Sequence, residues 1–502
     1  MEMVAQLERG KQISQVQTNP VQVKVLGFDE LRQLDYSLQL DNYQRPYVWG
    51  KDKVGQLLDD LNAFTGQSEQ TDYYLGTLLL HRQCAKKALF VIDGQQRLST
   101  LAVLHHALHQ TMPDRLDFHY RSPRSVVNLQ GAKQLMTSQR LALLQDVFQR
   151  LRFTVIIVDR EDLAFTFFDT QNNRGVPLAA TDLLKAYHLR AIGGERGEAL
   201  QAECARLWEG VQQSGKARRG RSDFAPKLFN RYLWRARNWR GSHHIELEQH
   251  DGLLETFQQQ SLKSEEENSI PLYPGRHNQF ATRLTMQESD NYQLELNPVR
   301  IGSHAARLPF SLRQPIHQGV GFFLYTQKYA ALIDELWHQP TNCFEVKTLR
   351  CFYQRVVLSN AGYLRELFDL ALLMYVDQFG EERMVEFALA FELVLCGIRL
   401  EKRSVYDSTP RKYLREADHN LLDIIAGAYR PEEVLVVLQG QQKWLINSSR
   451  LLESITRGQG VRGRYLSAWV NYLDDEKWQA IALPPEFEQL LNQYRNKEST
   501  HA

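Results

Sequence analysis

Ala88–Gln110 reads ALFVIDGQQRLSTLAVLHHALHQ and sets an acid, a glycine, two amides and an arginine side by side. The apolar run ending at Ile92 predicts a strand, Asp93-Gly94 a turn, and Leu98, Leu101, Leu104 and Leu108 a helix. A strand, a tight turn and a helix N-terminus form an anion site, because free N–H groups and the helix dipole face whatever binds there. Gly94 lets backbone approach a ligand. Asp93 can cap the helix or hold a divalent cation. Gln95 and Gln96 can orient a water or a base. Arg97 is discordant, since a cation in the first turn opposes the dipole. It makes sense facing a phosphate. The plainer alternative is that Asp93 only caps the helix and Arg97 pairs with a surface acid.

The elements around this turn mix strand and helix. Asp72–His81 and Ala88–Ile92, joined by the polar turn Gln83–Lys87, predict a hairpin or two neighbouring strands. Phe153–Val158 is apolar almost throughout and predicts a strand covered on both faces. Val54, Leu57, Leu58 and Leu61 form one buried helical stripe. After Arg190 the strand signal fades, Ser261–Arg276 reads as a loop, and residues from about 300 to 495 read as amphipathic helices. The expected architecture is α+β. Residues 1–20 form an arm, 21–195 a mixed domain, 196–340 a helical region, and 341–502 a helical C-terminal domain.

The chain has 502 residues, long enough for several domains with substantial cores. Its net charge of +1 excludes a bulk polycation, so any nucleic-acid surface must be local. Five scattered cysteines with no CxxC pair argue against a disulfide scaffold and a zinc ribbon. No apolar run approaches a bilayer span, and MEMVAQLERGKQ does not read as a signal peptide, so a soluble cytoplasmic protein is expected.

Two further segments extend the motif: Tyr43–Trp49 (YQRPYVW) and Phe168–Lys185 (FDTQNNRGVPLAATDLLK). With Tyr73–Leu80 (YYLGTLLL) and Ile92–Leu101 (IDGQQRLSTL), in that order, the chain resembles the N-terminal family of GmrSD-type, modification-dependent restriction endonucleases. The resemblance implies a ParB/sulfiredoxin-like fold for the first domain. It implies binding and hydrolysis of a nucleoside triphosphate around DGQQR, with a divalent cation such as Mg2+. Carried over residue by residue, Asp93, Gly94, Gln95, Gln96 and Arg97 are the nucleotide loop, with Asp93 the metal ligand. Gln44 and Arg45 close on the same pocket, and Asn172, Arg174, Gly175, Asp182 and Lys185 come from the second conserved region. Two departures stand out: Gln171 replaces an apolar residue, and Ala179 replaces the Ser or Thr that caps the helix of Asp182 in relatives.

A His-Asn-His nuclease, often found toward the C-terminus of such proteins or on a partner chain, is not recognisable. His243-His244, His250-Asp251, His419-Asn420 and the His105/His109 pair all lack its context. No GxxxxGK[ST] occurs.

Residues 216–240 carry nine basic residues against one acid, Asp223. Lys227, Arg231 and Arg235 fall at i, i+4, i+8 with Arg237 nearby, a stripe suited to phosphates. The alternative is a face paired with acids from elsewhere in the chain. Arg457–Arg464 (RGQGVRGR) is a second basic stretch. The expected function is a prokaryotic anti-phage restriction protein. It would couple nucleotide hydrolysis at DGQQR to engagement of DNA, including modified phage DNA, or to a partner nuclease with a His-Asn-His domain. The alternatives are a non-catalytic nucleotide-sensing DNA-binding subunit and a nuclease with an unrecognised His site. Homo-oligomerisation stays open.

Overall fold

A computed structural model describes residues 21–41, 44, 46–66, 71–120, 122–138, 144, 146–160, 163–164, 167, 179–193, 196–214, 223–242, 245–263, 269–273, 282–287, 291–296, 304–441, 459–474 and 483–496. The expected arm, residues 1–20, lies outside them. The chain divides into two compact units, Met1–Leu178 and Ala179–Ala502. The sequence had suggested boundaries near residues 195 and 340.

The first unit is built on a six-stranded mixed sheet. Its elements are β1 (Val21–Gly27), β2 (Ser37–Gln39), α1 (Lys51–Thr65), β3 (Tyr73–Gln83), β4 (Ala88–Asp93), α2 (Gln95–His109), β5 (Leu116–Asp117), α3 (Pro123–Ser138) and β6 (Leu151–Val158). The strand order is β1-β6-β3-β4-β2-β5. β3 and β4 pair antiparallel through the turn expected at Gln83–Lys87, where Lys87 takes φ +49°. β6 runs parallel to β3 and antiparallel to β1.

Alternation along the strands creates the core. Leu151, Phe153, Val155 and Ile157 of β6 point into one cluster with Leu78 and Leu80 of β3 and Leu89 and Val91 of β4. The α1 stripe Val54, Leu57, Leu58 and Leu61 covers them, as expected, with Leu98 and Leu101 of α2. Coverage of β6 on both faces is corrected. Thr154 and Ile156 are only half-buried, and Val23 and Val25 of the neighbouring β1 are exposed. An unbroken apolar run cannot by itself tell a sandwiched strand from one with a partly open face.

β3 is irregular where it matters. Its register against β6 shifts between Tyr74 and Thr77, and Gly76 takes φ +90°. This is a bulge that frees local carbonyls from the ladder.

The second unit is mostly helical: α4 (Ala180–Arg190), α5 (Gly197–Gln213), α6 (three consecutive helical pieces, Ala225–Lys227, Leu228–Trp234 and Arg235–Asn238, the middle one π), α7 (Val320–Trp337), α8 (Phe344–Arg355), α9 (Gly362–Phe379), α10 (Met384–Glu401), α11 (Ser408–Glu416), α12 (Leu421–Gly427), α13 (Pro431–Gln441), α14 (Gly460–Leu473) and α15 (Pro485–Asn496). α9 and α10 are buried nearly all round, as central helices are. One feature was missed. Thr282–Gln287 (β7) and Asn291–Leu296 (β8) pair antiparallel, with Leu284 opposite Leu294 and Met286 opposite Tyr292. The alternation in TRLTMQ and NYQLEL was the available signal. No described helix is long and apolar enough to cross a membrane.

Candidate functional site

The strand–turn–helix forms as expected, with β4 ending at Asp93 and α2 beginning at Gln95. The N-cap is Gly94, at φ +98° and ψ 0°, with no side-chain cap. Asp93 therefore precedes the cap, and the plain capping role is corrected. Gly94 is sterically required, because a Cβ there would collide with Leu78 Cδ2. The first N–H groups of α2 receive no side-chain cap from that residue, which leaves a helix N-terminus suited to an anion.

Arg97 does not project toward solvent. Its Nη1 donates to the Leu75 carbonyl at 2.5 Å and its Nη2 to the Thr77 carbonyl at 2.6 Å. These two carbonyls flank Gly76 in the β3 bulge. The planar guanidinium fork thus fills the hydrogen bonds that the bulge removed from the ladder. Asp93 lies 3.7 Å from Nη2, and the Arg97 side chain is 22% exposed. Burial lowers the Arg97 pKa, while Asp93 and Tyr74 oppose that shift.

Gln96 is buried and acts as a clamp rather than an orienter of water. Its Oε1 accepts from the Val48 and Trp49 N–H groups at 2.9 and 3.3 Å, and its Nε2 donates to the Pro46 carbonyl at 3.1 Å. One amide therefore reads the backbone of the YQRPYVW segment and fastens it over the start of α2. Gln44 reaches the same place, donating through Nε2 to the Ile92 carbonyl at 3.3 Å. Gln95 is also buried, and its neighbour Ser99 donates to the Gln95 carbonyl at 2.7 Å. Arg45 lies outside the described residues.

Behind the turn is a polar network that sequence reasoning did not single out. Tyr47 is fully buried, and its hydroxyl pairs with Thr100 Oγ1 at 2.8 Å. Its N–H donates to Ser125 Oγ at 2.8 Å, and its carbonyl accepts from Asn128 Nδ2 at 3.0 Å. Ser99 Oγ pairs with the Tyr120 hydroxyl at 2.5 Å. Burial pushes the Tyr47 phenol up to about 12, so it stays neutral at physiological pH. Polar Ser99 and Thr100 inside the apolar pattern of α2 were the visible sign.

Asp93, with its side chain 35% exposed, is the described carboxylate at the mouth of the turn. Among the described residues the one group with metal-ligand geometry is Cys343, Glu345 and Glu381, elsewhere in the chain. A single carboxylate together with nucleotide phosphates still fits the way Mg2+ is commonly held.

The second conserved region is less complete. Asn172, Arg174 and Gly175 lie outside the described residues. Asp182 and Lys185 belong to α4 of the second unit. Ala179 is its N-cap without a side-chain bond, as the missing Ser or Thr foretold. Lys185 is buried, and burial lowers its pKa against the opposing pull of Asp182, Glu209 and Asp223.

The phosphate-facing stripe is corrected. Arg235 is 4% exposed and lies 2.9 Å from Glu248 and 3.1 Å from Glu366. Arg231 meets the same acids at 3.1 and 3.0 Å. Arg237 donates to the Leu312 and Gln314 carbonyls at 2.8 and 2.6 Å. Lys227 is exposed. The spacing did place Arg231 and Arg235 on one side of α6, but acids distant in sequence meet them there. Lys216, Arg218, Arg219 and Arg221 lie outside the described residues.

Among the described histidines, the His105/His109 pair has a packing role. His105 Nδ1 pairs with the Thr111 carbonyl at 2.9 Å, and its ring packs against His109 and Phe148. Asn420 caps α12, accepting from Leu422 N–H. His419 lines a cleft of about 710 Å³ with Lys402, Lys412, Tyr413, Glu416 and Gln441. His243 and His244 lie outside the described residues.

Against known families, residues 28–189 match the GmrSD restriction endonuclease, N-terminal domain. Residues 200–451, half of the chain, match the family of unknown function DUF7834. No curated protein matches the chain.

Proposed function

The chain belongs to the family of unknown function DUF7834 and carries a GmrSD-type N-terminal domain, and from that premise we propose that it is a phage-defence restriction protein whose first unit binds a nucleotide at the turn before α2. The carrying observation is the uncapped start of α2 behind Gly94, with the Asp93 carboxylate at its mouth. The N–H groups of the first helical turn would receive phosphate oxygens, since partial positive charge gathers there. Asp93 would hold a divalent cation, which when bound neutralises phosphate charge. Gln96 and Gln44 keep the YQRPYVW segment closed on the turn. Nucleotide state would then gate engagement of DNA, or of a partner nuclease, through the helical unit.

Whether the site hydrolyses nucleotide or senses it turns on Arg97. A guanidinium tied to two strand carbonyls is not free to follow charge developing on a phosphoryl group. That favours the nucleotide-sensing switch as a second reading beside the NTPase. Nucleotide binding and phosphate release by wild type and Asp93→Asn decide the matter. Release abolished by the substitution supports hydrolysis. Binding without release supports the switch. Wild-type protein that neither binds nor turns over ATP or GTP with Mg2+ overturns both.

A further inference from the structure

Among the described residues, the helical unit contains a buried cation with no acid against it. Arg399, in the last turn of α10, is 3% exposed. Its Nη1 donates to the Lys402 carbonyl at 3.1 Å, while its Nε is buried with no hydrogen-bond partner among the described residues. Among the described residues the charged side chain acting on it is that of Arg462, in the first turn of α14, whose like charge opposes it. Arg462 is itself engaged only by the Leu400 carbonyl, to which its Nη1 donates at 3.1 Å, among the described residues. Two guanidiniums, with ten N–H donors between them, are thus each tied to a carbonyl at the C-terminal end of α10, Arg399 to Lys402 and Arg462 to Leu400. A buried charge without a counter-charge is strongly unfavourable, and a second like charge adds to the penalty.

The start of α14 makes the same demand independently. Its N-cap, Gln459, provides no side-chain bond to the first-turn N–H groups. Arg462 sits in that first turn, where a cation opposes the helix dipole. Gly460 takes φ +62°, and a Cβ there would meet no described atom within 4 Å, so among the described residues the turn is open to approach. A tetrahedral oxyanion answers all of these conditions together, giving the fork donors an acceptor and the helix start a negative charge.

We propose that the first turn of α14, with Arg462 and Arg399, binds a phosphate group, from a nucleotide or from a nucleic-acid backbone. The site lies in the second unit and does not depend on nucleotide chemistry at Asp93–Arg97. It also gives the described part of the glycine- and arginine-rich stretch, Gln459–Arg464, a specific role.

The test uses the full chain, as wild type and as Arg462→Gln, titrated with ATP and with a short labelled DNA duplex. Loss of affinity of about tenfold or more for one probe is expected. Loss with ATP assigns a nucleotide. Loss with the duplex, together with a salt slope flatter by about one, assigns the backbone. Without any anion, Arg462→Gln should melt no lower than wild type, since it removes a cation from a helix start. Equal affinities of the two proteins for both probes overturn the proposal and leave Arg462 as a cap on α10. If Arg462→Gln fails to fold, Arg462→Lys keeps the charge and loses the fork. Wild-type affinity of that variant for both probes overturns the proposal equally. Asp93→Asn run in parallel reports the N-terminal site separately and should leave the Arg462-dependent component unchanged.

Discussion

A Cβ on Gly76 would stand 2.5 Å from Nη1 of Arg97. The glycine of the YYLGTLLL strand and the arginine of DGQQR are therefore one device. Gly76 leaves the space and supplies the bulge, and Arg97 fills that space and bonds both flanking carbonyls. This couples the start of α2 to β3, and so places Asp93.

Gly76→Ala should destabilise the first unit by about 1–3 kcal/mol, because it strains a positive φ and displaces Arg97. Arg97→Lys should cost a similar amount, since an ammonium cannot bond both carbonyls in the same plane. The two losses should be less than additive in the double variant, as expected of groups in contact. Denaturant titration of the four proteins measures this. Full additivity would mean that the contact carries no energy.

Gln96→Leu should leave the Val48 and Trp49 N–H groups and the Pro46 carbonyl without their partner, costing about 2–4 kcal/mol. Hydrogen exchange of the segment 46–50 reads the effect directly. Protection there should fall before that of β3 and β4. Unchanged exchange would show that Gln96 does not hold the segment.

Arg235→Ala should cost about 3–5 kcal/mol, because it leaves two carboxylates, Glu248 and the half-buried Glu366, with Arg231 as their one remaining partner among the described residues. Arg231→Ala, more exposed, should cost less than about 1 kcal/mol. Neither should alter the salt dependence of DNA binding. A flatter salt slope for Arg231→Ala would restore the phosphate role withdrawn above.

Stability of the helical unit should fall as pH rises. Glu392 is fully buried, with Oε1 accepting from Tyr465 and Asn360 at 2.6 and 2.8 Å, and burial pushes its carboxyl up to about 7. Burial likewise raises Asp369 to about 6. A carboxyl raised on folding contributes fully below its unfolded pKa. That contribution is lost as pH climbs through the folded value, because the folded state then holds a proton that the unfolded state releases. For Glu392 the window runs from 4.5 to about 7. Glu392→Gln should be near neutral at pH 4 and stabilising by up to about 3 kcal/mol at pH 8. Melting temperatures at the two values test it, and an equal shift at both would remove Glu392 as the cause.

Much of the first unit was legible because its signals are local. The α1 stripe, the β3–β4 turn and the strand–turn–helix around Asp93 follow from periodicity and from the turn residues. The position of Asp93 one residue before the N-cap was less legible, since Asp and Gly both suit that place and only φ +98° at Gly94 decides. The β7–β8 hairpin was missed although its alternation is present, because two short strands weigh little beside long helical patterns.

By itself the sequence determined the family likeness of residues 28–189, the α+β order of elements, and which residues crowd the turn. The tertiary structure alone decided what the long polar side chains do. Arg97 reaches back 20 and 22 residues to Thr77 and Leu75, Gln96 reaches back 48 to Val48, and Arg235 meets Glu366 at a separation of 131. Spacing along a helix fixes the face a side chain occupies. A guanidinium or an amide on that face bonds whichever carbonyl, carboxylate or phosphate the fold brings within 3 Å, and its choice depends on segments remote in the chain.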